Sequence, residues 1–312
     1  MKRATALLPL LAAAGFAGAC QSSPATARIE GDVVHVAVGG QPFTTVHSAA
    51  TPRPYLFPVL GPGGVPMTRS WPMAEAPHEE HDHPHHQSLW FAHGSVNGYD
   101  FWQGSHKNER IELAGSIRIE PASDRVRVHA SYRWMAEEDA FVLADERTLA
   151  FAGGEDARTI DFTLTLTPGD SPVVFGDTKE GTMAVRLHPA LQLRGEVAAG
   201  TVRNSEGVTG ADCWGKRARW VAYSGPIDGR ERGVAMFDHP ANPRHPTWWH
   251  ARDYGLFAAN PFGVHDFEGK PARTGDLAVA AGEHVAFRYR LVFFAGAWTP
   301  ERIEAEYADW AR

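Results

Sequence analysis

Residues 125–134 read RVRVHASYRW, residues 159–167 read TIDFTLTLT, and residues 284–294 read HVAFRYRLVFF. In the first run Val126, Val128, Ala130, Tyr132 and Trp134 share one face, while Arg125, Arg127, His129, Ser131 and Arg133 share the other. In the second, Ile160, Phe162, Leu164 and Leu166 stand opposite threonines and Asp161. Apolar residues at every second position describe half-buried strands with one wet face, the pattern of antiparallel sheets. Gly-Pro and Gly-Gly pairs between such runs mark turns. One helix stands out, at the C-terminus. Thr299 is a good N-cap, Pro300 suits the first helical position, and Ile303, Tyr307 and Trp310 form a stripe at i, i+4, i+7. The expected fold is all-β: a large antiparallel β-sandwich of the supersandwich kind seen in sugar mutarotases, or else a jelly roll. The C-terminal helix should cover a sheet face or edge.

Working outward, the chain opens with Lys2 and Arg3, an apolar run from Ala4 to Phe16, small residues, and Cys20. That order describes an export signal. The run is too short for a permanent membrane span. Cys20 after Ala-Gly-Ala resembles a bacterial lipoprotein processing site, with cleavage after Ala27 as the alternative. Residues 1–20 are therefore expected as a lipoprotein-type signal, 21–27 as a tether, and 28–312 as a single sandwich domain. The expected location is the periplasm or outer membrane, held by lipid at Cys20 or soluble. Cys213 is the other cysteine, so loss of Cys20 to lipid leaves no pair for an internal disulfide.

The formal charge is −7, and no basic run follows Arg3. This argues against nucleic acid and against anionic lipid surfaces, leaving a lipid anchor as the expected membrane contact. Ten tryptophans and sixteen phenylalanines suit a β-rich body, and some could line a cleft.

Chemistry concentrates elsewhere. Six of sixteen histidines fall in HEEHDHPHHQSLWFAHGSVNGYDFW, residues 78–102. Imidazole is both the commonest metal ligand and the commonest general acid or base. On an extended strand His81, His83 and His85 would project to one side at steps of about 6–7 Å. Pro84 points instead to an edge, bulge or loop that lets His85 and His86 diverge. Residues 238–263, DHPANPRHPTWWHARDYGLFAANPFG, read as a long loop followed by a strand, because three prolines forbid a helix. They carry His245, His250, Arg252, Tyr254 and Asn260, beside Trp248 and Trp249, whose flat faces suit sugar rings. Residues 176–191, GDTKEGTMAVRLHPAL, place Lys179 and Glu180 just before a strand, where a carboxylate can act as base or acid.

Together these three segments resemble the PmoA-like family of uncharacterised bacterial proteins, over roughly residues 29–296. The family commonly carries an acidic residue where Ser95 stands here. Its name borrows that of a membrane-embedded methane monooxygenase subunit, and nothing in the mature chain offers the apolar stretch of about 20 residues that such a subunit needs. What the resemblance implies is a carbohydrate role, by association.

The expectation is thus an exported carbohydrate-active enzyme, a hydrolase, lyase or epimerase, that cleaves or isomerises a glycoside or sugar derivative. Its acid–base groups would come from His83, His85, His86, Glu180, His245, His250 and Tyr254. Substrate contacts would come from Trp90, Trp102, Lys179, Trp248, Trp249, Arg252 and Asn260. A divalent metal (Zn, Ca or Mn) on His83, His85 and His250 is a variant of the same idea. The alternative class is a non-catalytic surface lipoprotein that binds glycans. A small-molecule or oligosaccharide ligand is expected in either case, and oligomeric state is left open.

Overall fold

The computed structural model describes residues 24–104 and 108–312. The expected signal and Cys20 lie outside the described residues. Two large antiparallel sheets face one another across a continuous apolar core. The first sheet contains β1 (Ala25–Glu30), β2 (Val33–Val38), β3 (Gln41–His47), β4 (Tyr55–Val59), β5 (Leu89–His93), β12 (Gly181–Arg186), β16 (Trp248–Ala251) and β17 (Leu256–Asn260). Its order is β1-β2-β3-β4-β5-β12-β17-β16. β1 begins inside the stretch expected as a tether, so the sandwich starts at Ala25, with that residue already buried.

The second sheet contains β6 (Arg110–Leu113), β7 (Arg118–Pro121), β8 (Val126–Met135), β9 (Phe141–Gly153), β10 (Ala157–Pro168), β13 (Thr201–Asn204), β14 (Trp220–Ile227), β15 (Arg230–Asp238) and β19 (Val285–Ala295). β11 (Val173–Phe175) and β18 (Leu277–Val279) form a small separate ribbon. Main sheets of eight and nine strands exceed the eight-stranded jelly roll in total, which decides for the supersandwich.

The alternating strands behave as their pattern requires. Val126 and Val128 of β8 and Ile160, Phe162 and Leu164 of β10 are buried, and their neighbours are at least partly wet. The middle of the first sheet differs. β5, β12, β16 and β17 are buried at every position, on both faces. Their inner face meets the second sheet, and their outer face is covered by long loops. That covered outer face carries the candidate site.

α1 (Val264–Glu268) is a single turn, and α2 (Pro300–Trp310) is the expected C-terminal helix. The Thr299 hydroxyl accepts from the Arg302 amide at 3.3 Å, capping α2. Ile303 and Tyr307 pack on Trp220, Phe237 and Phe294, on the outer face of the second sheet. Among the described residues no helix is long and apolar enough to cross a membrane.

Candidate active site

One row of the first sheet sets the geometry. Tyr55 pairs with Trp90, Trp90 with Ala184, Ala184 with Ala258, and Ala258 with His250. Directly paired residues point to the same face, so Trp90 and His250 share the outer face with two alanines between them. Three strand spacings separate them, roughly 14 Å. The two histidine-bearing segments therefore meet one sheet face, at opposite ends.

At the Trp90 end, residues 81–88 form a turn and not a strand, which corrects the expected alternation of His81, His83 and His85. Pro84 brings no amide to a ladder, and the His86 amide closes a tight turn onto the His83 carbonyl at 2.9 Å. An irregular loop against a sheet needs donors for its carbonyls, and three fully buried arginines supply them. Arg53 donates to the carbonyls of Phe101 (3.1 Å) and His85. Arg69 donates to those of Glu80 (3.2 Å) and His83 (3.0 Å) and to the Asp82 carboxylate. Arg186 reaches Asp82 at 2.9 Å and His86 Nδ1 at 3.0 Å. A guanidinium only donates, so His86 Nδ1 is the acceptor and Nε2 carries the ring proton.

The turn stacks its histidines into a column. Tyr254, from the β16–β17 hairpin, lies parallel to His83 (centroids 5.3 Å, 7°). His83 lies parallel to His86 (4.7 Å, 8°), and His86 leans on Trp90 (5.4 Å, 21°). His85 meets His83 and His86 edge-on, at 5.7 and 4.4 Å. Burial runs from Trp90, 1% exposed, outward to the His83 side chain at 41%. The working end of the column is therefore His83 with Tyr254.

His83 Nδ1 lies 2.7 Å from Asp82 Oδ2. With Asp82 ionised, Nδ1 donates and Nε2 is left as the free acceptor. Burial pushes the Asp82 carboxyl up, but Arg186, the His83 hydrogen bond and Arg69 outweigh it and hold it below its ordinary value. His85 is pushed down to about 4, by burial first and then by Arg53, His83, Arg69 and Arg186. Burial, with His85 and Arg186, holds His86 well below its ordinary value. Tyr254 is raised by burial against the pull of Arg252 and Arg186, so its phenol keeps its proton at neutral pH.

At the other end, His250 is 2% exposed and donates from Nδ1 to the Lys179 carbonyl, 2.9 Å away. Burial pushes it down to about 4, against the Lys179 carbonyl and with the help of Arg252. Its ring contacts are Trp214 and Phe267. Lys179 pairs with Glu180 at 3.1 Å, and both remain partly exposed. Arg252, two residues beyond His250, places its guanidinium 5.4 Å over the Tyr254 ring.

Several expected roles are corrected by this arrangement. His245 is bonded to buried Asp238 at 2.7 Å, at the end of β15 in the other sheet, and does not join the column. Trp249 faces the core, donating to the Ala218 carbonyl at 2.8 Å. Trp248 is 6% exposed, covered by Arg217 and bonded to Glu268. Trp90 and Trp102 lie beneath His86 and present no open ring to a ligand. Asn260 is a strut, its amide donating to the Thr178 carbonyl and accepting from the Phe262 amide. His83, His85 and His250 are not a ligand triad, since His250 stands at the far end of the row. Among the described residues no three His, Cys, Asp or Glu side chains are grouped to hold a metal ion. Conversely, Asp82, Arg53, Arg69 and Arg186 escaped the sequence reading. The available signal was a charged residue inside an otherwise apolar strand, AVRLHP.

The fold and site together define a two-sheet β-sandwich protein with a histidine–tyrosine column on one sheet face. The chain belongs to the family DUF6807, described as a family of unknown function, whose model matches residues 33–308. This match replaces the PmoA-like assignment. No curated protein sequence matches the chain. Among solved structures it is similar to a GH36 α-galactosidase from Geobacillus stearothermophilus, at 12% identity over 87% of this chain and 40% of that one, TM-score 0.41. It is also similar to a glycoside hydrolase family 97 enzyme from Pseudoalteromonas sp. strain K8, at 8% identity over 88% and 35%, TM-score 0.32. A galactose mutarotase related enzyme from Lactobacillus acidophilus is 10% identical over 88% and 98%, TM-score 0.32. The chain spans between about a third and two fifths of the length of the glycoside hydrolases it matches.

Proposed function

We propose that the chain is an exported carbohydrate-active enzyme that transforms a sugar derivative by proton transfer at His83 and Tyr254. The observation that carries this reading is the oriented pair Asp82–His83 at the exposed end of a column whose remaining members are buried and fixed. Asp82 sets the His83 tautomer, so Nε2 is presented as a base. Tyr254, held protonated and parallel to that ring, is the matching acid. Asp82 is a positioning residue, because it acts through His83. Glu180 is partly exposed on the same sheet side, paired with Lys179, which supports a role for it beside the same ligand.

His83 is the least buried histidine of the column, so its loss should spare the fold. His83→Ala and Tyr254→Phe are expected to lower turnover of a sugar substrate ~10²–10⁴-fold each, with the far-ultraviolet circular dichroism and unfolding midpoint retained. Unchanged turnover in both variants sinks the assignment. Glycan binding without turnover in the native chain would instead favour a binding protein.

A further inference from the structure

Four cationic groups besides Arg69 stand on this face of the sheet, and all but one have a carboxylate partner. Arg186 shares Asp82 with Arg69, Arg194 pairs with Asp253 at 3.0 Å, and Lys179 pairs with Glu180 at 3.1 Å. Arg252 has no such partner. Among the described residues its guanidinium makes neither a hydrogen bond nor an ion pair, and its contact is the face of Tyr254. It is nonetheless only partly exposed. A guanidinium is planar with five donors, and one that no protein group occupies is open to a bound anion.

Its position is specific. Strand alternation carried past Ala251 puts Arg252 on the same face as His250, one step of about 6–7 Å along. Arg252 follows His250 by two residues and lies 5.4 Å over the Tyr254 ring, so it links the two ends of the site. Arg186 lies 4.7 Å over the same Tyr254 ring but is wholly buried, so of these two guanidiniums it is Arg252 that remains open to a ligand.

We propose that the site takes an acidic sugar, a uronate or similar sugar carboxylate, whose carboxylate is bound by Arg252 beside Tyr254. A planar carboxylate matches the guanidinium fork through two parallel hydrogen bonds, which a neutral hydroxymethyl group cannot form. The inference rests on the reading of this face as a sugar site and adds the charge of the sugar. In a chain of net charge −7, the unpaired Arg252 also gives an acidic ligand a local attraction.

The test is calorimetric titration of the whole chain with oligogalacturonate and oligomannuronate, each beside its carboxyl-reduced counterpart. The acidic form should bind at least tenfold more tightly at low salt, with the gap closing as salt rises. Arg252→Gln should erase the gap, and Arg252→Lys should retain part of it, since the charge survives without the fork. Equal binding of acidic and reduced forms, no binding of any acidic form, or a preference that survives Arg252→Gln overturns the proposal. Failure of the enzymatic reading looks different. Turnover of a neutral sugar that stops in His83→Ala would remove the carboxylate and keep the acid–base pair. Arg252-dependent binding without turnover would do the reverse.

Discussion

Asp82 and His83 are neighbours in sequence, and their substitutions should separate chemistry from architecture. His83→Ala removes a partly exposed ring from the end of the column, which is expected to cost about 1 kcal/mol of stability or less. Asp82→Asn does more. It leaves Arg69 and Arg186, both buried, facing a neutral amide, and breaking a buried pair is strongly destabilising. Because the Asp82 carboxylate is itself 28% exposed, solvent screens part of this, and ~2–3 kcal/mol is expected. Denaturant titrations of the two variants should therefore differ clearly, although both lose turnover. Equal stability of Asp82→Asn and the native chain would show that the arginines do not depend on this carboxylate. The importance of Asp82 was not legible in HDHPHH. Its partners Arg69 and Arg186 are remote in sequence, and only the fold brings them to it.

Elements differ in how openly they declare themselves. β8, β10 and the first half of β19 each have one wet face, so polar and apolar residues alternate and the strands can be read directly. β5 and β17, LWFAH and LFAAN, are covered on both faces, so their strand character hides in short continuous apolar runs. That same double burial explains the misreading of the tryptophans. An aromatic in a loop-rich segment suggests a sugar platform, yet Trp249 points inward by alternation and Trp90 supports His86 from below. α2 was legible because its cap, its first-turn proline and its stripe agree. It packs on a separate apolar cluster from the main core, on the opposite sheet from the site. Ile303→Ala should therefore lower the free energy of unfolding by about 2–4 kcal/mol while leaving catalytic constants unchanged. A parallel loss of activity would show that the two faces of the sandwich are coupled.

On the scale of the whole molecule, burial of histidine ties stability to pH. His85, His93 and His250 are each held down to about 4, chiefly by burial, and His86 lies well below its ordinary value for the same reason. In the unfolded chain all four titrate near 6.5. The native state therefore binds fewer protons than the unfolded state between these limits. Their contribution is fully present above about 6.5 and is lost as pH falls toward 4, each histidine adding a slope of up to about 1.4 kcal/mol per pH unit. Asp82 acts in the same direction but lower down. Its folded value is depressed, so its share is lost only as pH falls below the ordinary carboxylate range and through that folded value. The two windows are separable. Unfolding free energies measured by denaturant should drop by several kcal/mol between pH 7 and pH 5, before most carboxylates titrate, with uptake of protons on unfolding. His93 is wholly buried, its Nε2 bonded to the Gly176 carbonyl at 2.8 Å, and it belongs to neither end of the site. His93→Gln should therefore reduce the proton uptake at pH 5 by about one without altering the acid–base column. A stability profile flat from pH 7 to pH 5 would mean that these histidines are not held neutral inside the sandwich, and the reading of the column as a fixed, desolvated support for His83 would fall with it.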